Sequence, residues 1–147
     1  MLQDALLAWL HYLAIFLLIT ALAAQATLLR PGLAAATALR LANYDRLYLA
    51  CAIAALATGL ARLMLGPKGT AFYMSNGWFH AKMALFVLIG LCSIPPTLQY
   101  LRWRKAGRDA GFVPADAHVR RARRWVMVQA HLIVLLPLFA ALMARGI

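Results

Sequence analysis

The spacing of charged residues along the chain divides it into four long uncharged runs, Ala5 to Leu29, Leu47 to Ala61, Met83 to Leu101 and Trp125 to Ala144. These runs hold 25, 15, 19 and 20 residues. A helix crossing a bilayer needs about 20 apolar residues, so three runs are long enough as they stand. The second rises only ~22 Å against a hydrocarbon core of ~30 Å. It must take in Arg62 and continue to residue 65, which puts a cation near or inside the apolar layer. The third run is likewise extended back to Trp78 and takes in Lys82. The expected spans are 5–29, 47–65, 78–101 and 125–144, and the expected fold is an all-α integral membrane four-helix bundle.

Composition agrees with this pattern. Of the 147 residues, 65% are apolar and 13% charged, which fits no ordinary soluble domain. The opening "MLQDALLAWL" carries an acid where a secretory signal has a basic region, and its apolar run is too long for one, so it is expected to be a first, retained span. Both cysteines, Cys51 and Cys92, fall inside apolar runs, which leaves no disulfide framework and no zinc spacing. No repeat or flexible linker divides the chain, and a single domain over residues 1–147 is the economical reading.

Charge sets the expected orientation, since cytoplasmic loops retain Lys and Arg. Of the 15 basic residues, 11 fall on one side: Arg30, Arg40 and Arg46, with eight more between Arg102 and Arg124. Arg62, Lys68, Lys82 and Arg145 fall on the other. Both termini are therefore expected outside the cytoplasm of a bacterial inner membrane, with residues 102–124 forming a basic cytoplasmic loop. A basic run beside a membrane reads as an anchor to anionic lipid rather than as a nucleic-acid surface. Trp9, Tyr73 and Trp78 on one side, and Tyr44, Tyr100, Trp103 and Trp125 on the other, are placed as interfacial belts.

Residues three, four and seven apart share a helix face. His11, Ala14, Leu18, Ala21 and Gln25 form one such stripe. Tyr48, Ala52, Ala55, Gly59 and Arg62 form a second, whose small residues allow close helix approach. Trp78, Lys82, Leu85, Ile89, Cys92, Pro96 and Gln99 form a third, from which His80 points about 200° away. Pro95 and Pro96 are expected to kink or break their helix. By depth the polar residues make two layers. His11, Arg62, Trp78, His80 and Lys82 lie near the outer surface, and Cys51, Cys92 and His131 lie roughly 10 Å from the inner one.

Asp4, Asp45, Asp109 and Asp116 are the only acids, and all four fall outside the expected spans, so Arg62 and Lys82 have no embedded carboxylate. Two readings stand. The cations snorkel to lipid phosphates and water, or they face an anionic ligand such as the carboxylates of a porphyrin, with His11 as axial ligand or proton carrier. Trp78 would cover the ligand's edge, and His131 is a second candidate metal ligand. In a copper-handling alternative, His11 with Met64 and Met83, or Cys51, Cys92 and His131, would bind Cu(I). A third alternative is a non-catalytic accessory subunit, and self-association as a homo-oligomer stays open.

The segments "ANYDRLYLACAIAALATGLARL" and "FYMSNGWFHAKMALFVLIGLCSIPPTLQYLRW", with the basic loop that follows, resemble an uncharacterised bacterial family, the domain of unknown function 2214, over almost the whole chain. More distantly, "LHYLAIF", "RLY" and "GWFHAK" resemble HemJ-type protoporphyrinogen oxidases, and the pattern is similar to the membrane domain of CopD-type copper-resistance proteins. The HemJ resemblance implies haem b as cofactor, porphyrin-directed redox chemistry, and a first-helix histidine paired with a third-helix lysine, here His11 and Lys82. The fourth helix departs from that pattern, carrying "VQAHL" with Gln129 and His131 in place of an acidic segment.

The charge count yields a direct test of topology. In a background with Cys51 and Cys92 replaced by Ala, Ala110→Cys should resist a membrane-impermeant maleimide in intact cells and react with it in inverted vesicles. Labelling in intact cells would reverse the assignment.

Overall fold

A computed structural model describes residues 2–66 and 69–145. Lys68, counted above on the outer side, lies outside the described residues. The elements are α1 (Leu2–Leu28), α2 (Ala35–Leu65), α3 (Gly69–Met74), α4 (Gly77–Ala106), α5 (Asp116–Ile133) and α6 (Leu135–Arg145). α1, α2, α4 and the combined segment Asp116–Arg145 are each long and apolar enough to cross a membrane. The protein is an all-α, four-span chain.

Side-chain contacts fix how the spans run. His11 of α1 meets Thr58 of α2, Asp45 of α2 meets Thr97 of α4, Cys92 of α4 meets Gln129 of α5, and Arg123 of α5 reaches Ala26 and Leu29 at the end of α1. α4 continues onto α6, where the rings of Trp78 and Phe139 are 5.5 Å apart. Early residues of each span thus meet late residues of the next. The result is an up-down-up-down bundle closed by the α5–α1 contact, in which each helix buries a narrow stripe and leaves its flank to lipid. The five residues of the expected α1 stripe, His11 to Gln25, are all buried.

All four spans begin earlier than expected, α1 at Leu2 rather than 5 and α4 at Gly77 rather than 78, and two of them by a wide margin. α2 starts at Ala35 rather than 47, and the fourth span at Asp116 rather than 125. Delimiting spans by charged residues cuts a helix wherever its first turns carry charge, and here Arg40, Asp45 and Arg46, like Arg120 to Arg124, lie within helices. The expected loop 102–124 shrinks to residues 107–115. Extension of α2 through Arg62 to residue 65 is seen.

At the basic end, Gly32 adopts φ +77°, a left-handed conformation open to glycine, and its N–H donates to the Asp116 carboxylate at 2.8 Å. Asp116 stands in the first turn of α5, where negative charge suits the helix dipole. Arg123 Nη1 donates to the Leu29 carbonyl at 2.8 Å. It supplies a cation to the end of α1, whose last turn has no basic residue of its own. Tyr100 and Trp103, expected in an interfacial belt, are instead 1% and 2% exposed. The α4 stripe runs through them rather than through Gln99, and carries a continuous core down to this end.

The prolines act in an unexpected place. α4 is unbroken across Pro95 and Pro96, whereas the fourth span is interrupted at Val134, three residues before Pro137. A proline cannot donate to the carbonyl four residues back and its ring crowds that carbonyl. For Pro96 the carbonyl is that of Cys92, and Gln129 Nε2 donates to it at 3.2 Å. The side chain of a neighbouring span thus replaces the missing amide. For Pro137 the carbonyl belongs to Ile133, where α5 ends.

This substitution of one donor for another predicts a coupling. Gln129→Leu should destabilise the protein by about 1–3 kcal/mol in detergent, because a carbonyl is left unmet in an apolar core. In a Pro96→Ala background, where the restored backbone amide at that position donates to the Cys92 carbonyl, the same change should cost less by about 0.5–3 kcal/mol. Thermal unfolding of the four variants measures this. Additivity would show that Gln129 does not stand in for the lost amide.

Candidate functional site

At the end opposite the basic loops, α1, α2 and α4 bring three sequence-flagged residues together. His11 is 8% exposed on the inner stripe of α1. Its Nδ1 lies 3.0 Å from Thr58 Oγ1. The Thr58 hydroxyl sits 2.7 Å from the Ala54 carbonyl and 3.2 Å from that of Ala55, so its single proton goes to the backbone. With the hydroxyl proton on the backbone, His11 is the donor of the ring–hydroxyl contact. This favours the Nδ1–H tautomer, with a lone pair on Nε2. Gly59 makes room for it: a Cβ there would stand 3.2 Å from His11 Cε1. The small residues of "ALATG" thus seat the imidazole against α2, and the threonine turns it.

Lys82 and Arg62 are the charged groups that act on the His11 ring among the described residues, and each lies within electrostatic range of the other. Arg62 stacks its guanidinium over Tyr12, 5.8 Å from the ring centroid. Its Nε is buried and has no hydrogen-bond partner. A desolvated guanidinium N–H without an acceptor is costly, and a second cation nearby adds repulsion. The arrangement sets two cationic donors beside an imidazole lone pair, with Arg62 Nε left without an acceptor among the described residues.

The remaining flagged residues separate from this group or border it. Trp78 is half-buried and packs on Phe139 of α6, with its backbone N–H capped by the Asn76 side chain at 2.9 Å. His80 is exposed, and its Nε2–H donates to the Met74 carbonyl at 2.9 Å, tying α3 to α4. This matches a side chain pointing away from Lys82. His131 is exposed, with Nδ1 on the Met127 carbonyl at 2.6 Å, while Cys51 and Cys92 are buried. The proposed inner trio is therefore not assembled. Met64 is 73% exposed, and among the described residues no three His, Cys, Asp or Glu side chains form a metal-binding group.

Three acids expected outside the spans fall within the span helices, Asp4 in the first turn of α1, Asp116 in the first turn of α5, and Asp45 well inside α2. Asp45, expected outside the spans, is 5% exposed within α2 and accepts a hydrogen bond from Thr97 Oγ1 at 3.1 Å. It acts electrostatically on Tyr48 and Tyr100. The signal was present in the spacing, since Asp45 is three residues before Tyr48 on the α2 stripe; ending the span at Leu47 hid it. Tyr100 Oη, Gln129 Oε1 and Gln25 Nε2 are also buried without partners. Asp45 stands in the half of the bundle near the basic loops, far from Arg62, and cannot serve as its counter-charge.

Four spans closed into an antiparallel bundle, with polar residues directed between the helices, define a multi-pass α-helical membrane protein. Residues 3–147 match the family model described as predicted membrane protein (DUF2214), and the chain belongs to that family. No curated protein and no solved structure matches it. The resemblance to HemJ-type and CopD-type proteins accordingly rests on the short motifs alone.

Proposed function

We propose that this multi-pass protein of the bacterial inner membrane binds haem, as haem b, or a related porphyrin among α1, α2 and α4, and serves a redox role there. The observation that carries the reading is the buried, unpartnered Arg62 Nε beside His11, whose Thr58 hydrogen bond leaves Nε2 bare. A haem carries carboxylates and an iron that accepts a neutral imidazole, so the residues present fit the group. His11 would be the axial ligand. Arg62 and Lys82 would meet carboxylates, and Trp78, one turn before Lys82, would close the edge nearest α6. Bound haem supplies one-electron chemistry, whose potential depends on axial ligand and surroundings.

The chain's own contribution is positioning and electrostatics. Thr58 holds the imidazole plane and its tautomer, as the outer hydrogen bond of a ligating histidine does at metal sites. The two cations favour any bound form that is more negatively charged. Gly59 keeps the ring against α2, and the bundle core below Leu85 and Leu18 excludes water from beneath.

Protein purified from haem-replete cells should show a Soret band. His11→Ala should abolish or shift it, Lys82→Ala and Arg62→Ala should weaken retention with little change of ligand field, and His80→Ala should leave it unchanged. Absence of porphyrin absorbance, or equal behaviour of His11→Ala and His80→Ala, would refute the reading.

A further inference from the structure

A different feature, at the basic end, remains unused by the haem reading. Between α4 and α5 lies a groove of about 280 Å³. Its apolar wall comes from Ile94, Pro95 and Leu98, and its polar rim from Arg102 on α4 and Arg121 on α5, with Trp125 beside them. Ile94 and Leu98 are each 49% exposed, so the trough opens on the flank of the bundle rather than into its core. Pro95 belongs to this wall, and the Pro–Pro step therefore shapes a surface as well as an interior.

The two arginines differ from other basic residues nearby. Arg123 is committed to the end of α1 and Arg46 to Asn43. Arg102 and Arg121 have no hydrogen-bond or ion-pair partner among the described residues, and no acid lines the groove. Asp109 stands in the adjoining cavity of about 470 Å³, which Arg102 shares with Lys105 and Arg108. Each guanidinium lies one helical turn beyond an apolar anchor, Leu98 before Arg102 and Trp125 after Arg121. One turn is ~5.4 Å along the axis, the step from the headgroup layer to the first methylenes of an acyl chain.

We propose that this groove is a specific site for one anionic phospholipid, its phosphate held between Arg102 and Arg121 and an acyl chain lying along Ile94, Pro95 and Leu98. The pairing follows from chemistry. Arginine forks match phosphate oxygens, tryptophan prefers the interface, and basic recesses between spans on the cytoplasmic side suit lipid headgroups. A soluble phosphate would use the arginines but leave the trough without a role. A neutral lipid would fill the trough and leave two cations unpaired.

Native mass spectrometry of the detergent-solubilised protein, titrated with dioleoyl phosphatidylglycerol or dioleoyl phosphatidylcholine, tests the site. One phosphatidylglycerol should be retained in preference to phosphatidylcholine. R102Q/R121Q should weaken its binding roughly 30-fold, about 2 kcal/mol at two arginines. R104Q/R120Q, which removes the same charge from exposed positions outside the groove, should leave it nearly unchanged. Leu98→Trp, which fills the trough and keeps both charges, should also weaken binding, and excess glycerol 1-phosphate should not displace the lipid. Equal losses in the two double variants would reduce the effect to diffuse charge. Displacement by glycerol 1-phosphate would make it a soluble-anion site, and undiminished binding in R102Q/R121Q or Leu98→Trp would remove the groove from lipid binding. Each of these results overturns the proposal, and none depends on haem.

Discussion

Hydrocarbon offers no hydrogen-bond partner, so a polar group inside the bilayer must be met by the protein or by something the protein has recruited. This constraint organises the bundle. The Cys92 carbonyl, deprived of its amide by Pro96, draws Gln129 across from α5. The end of α1 draws Arg123, Asp45 takes the Thr97 hydroxyl, and His11 takes Thr58. These four contacts lie on the four helix pairings that close the bundle. Polar satisfaction and register are therefore the same set of contacts, while packing of small and apolar residues fills the space between them.

The few groups left unmet gain meaning against that background. Arg62 Nε stands out because it belongs to a charged side chain, in company with Lys82. The unmet atoms near the basic end, on Gln25, Tyr100 and Gln129, are neutral, and Asp45 is already bonded. The unmet buried atoms thus differ in kind between the two ends, neutral near the basic loops and cationic at Arg62. The proposal of a ligand with negative charge and an electrophilic centre rests on the pairing of Arg62 with the His11 imidazole.

Much of this was legible in the chain. Seven-residue spacing put His11 and Gln25 on one buried face, and the shortness of the second uncharged run forced Arg62 into its helix. Residues near the basic end were harder to place. Asp45 looked external because charged residues were taken as span limits, yet a helix can carry charge through its first turns while those turns lie at the interface or in the core. Tyr100 and Trp103 looked like belt residues for a different reason, since aromatic type alone does not separate an interfacial ring from a core ring. The proline error was of another kind. Whether a Pro–Pro step breaks a helix depends on a donor from another helix, and Gln129 lies 33 positions beyond Pro96.

The candidate site at the end opposite the basic loops turns on Thr58, which holds His11 Nδ1 at 3.0 Å and favours the tautomer with its proton on Nδ1. Nitrogen-15 NMR of histidine-labelled, ligand-free protein in nanodiscs reads this directly, with the His11 signals assigned by their loss in His11→Ala. The expected result is a protonated Nδ1 and an unprotonated, pyridine-type Nε2 at neutral pH, and loss of that single tautomer in Thr58→Val. A ring carrying its proton on Nε2, or on both nitrogens, would contradict it.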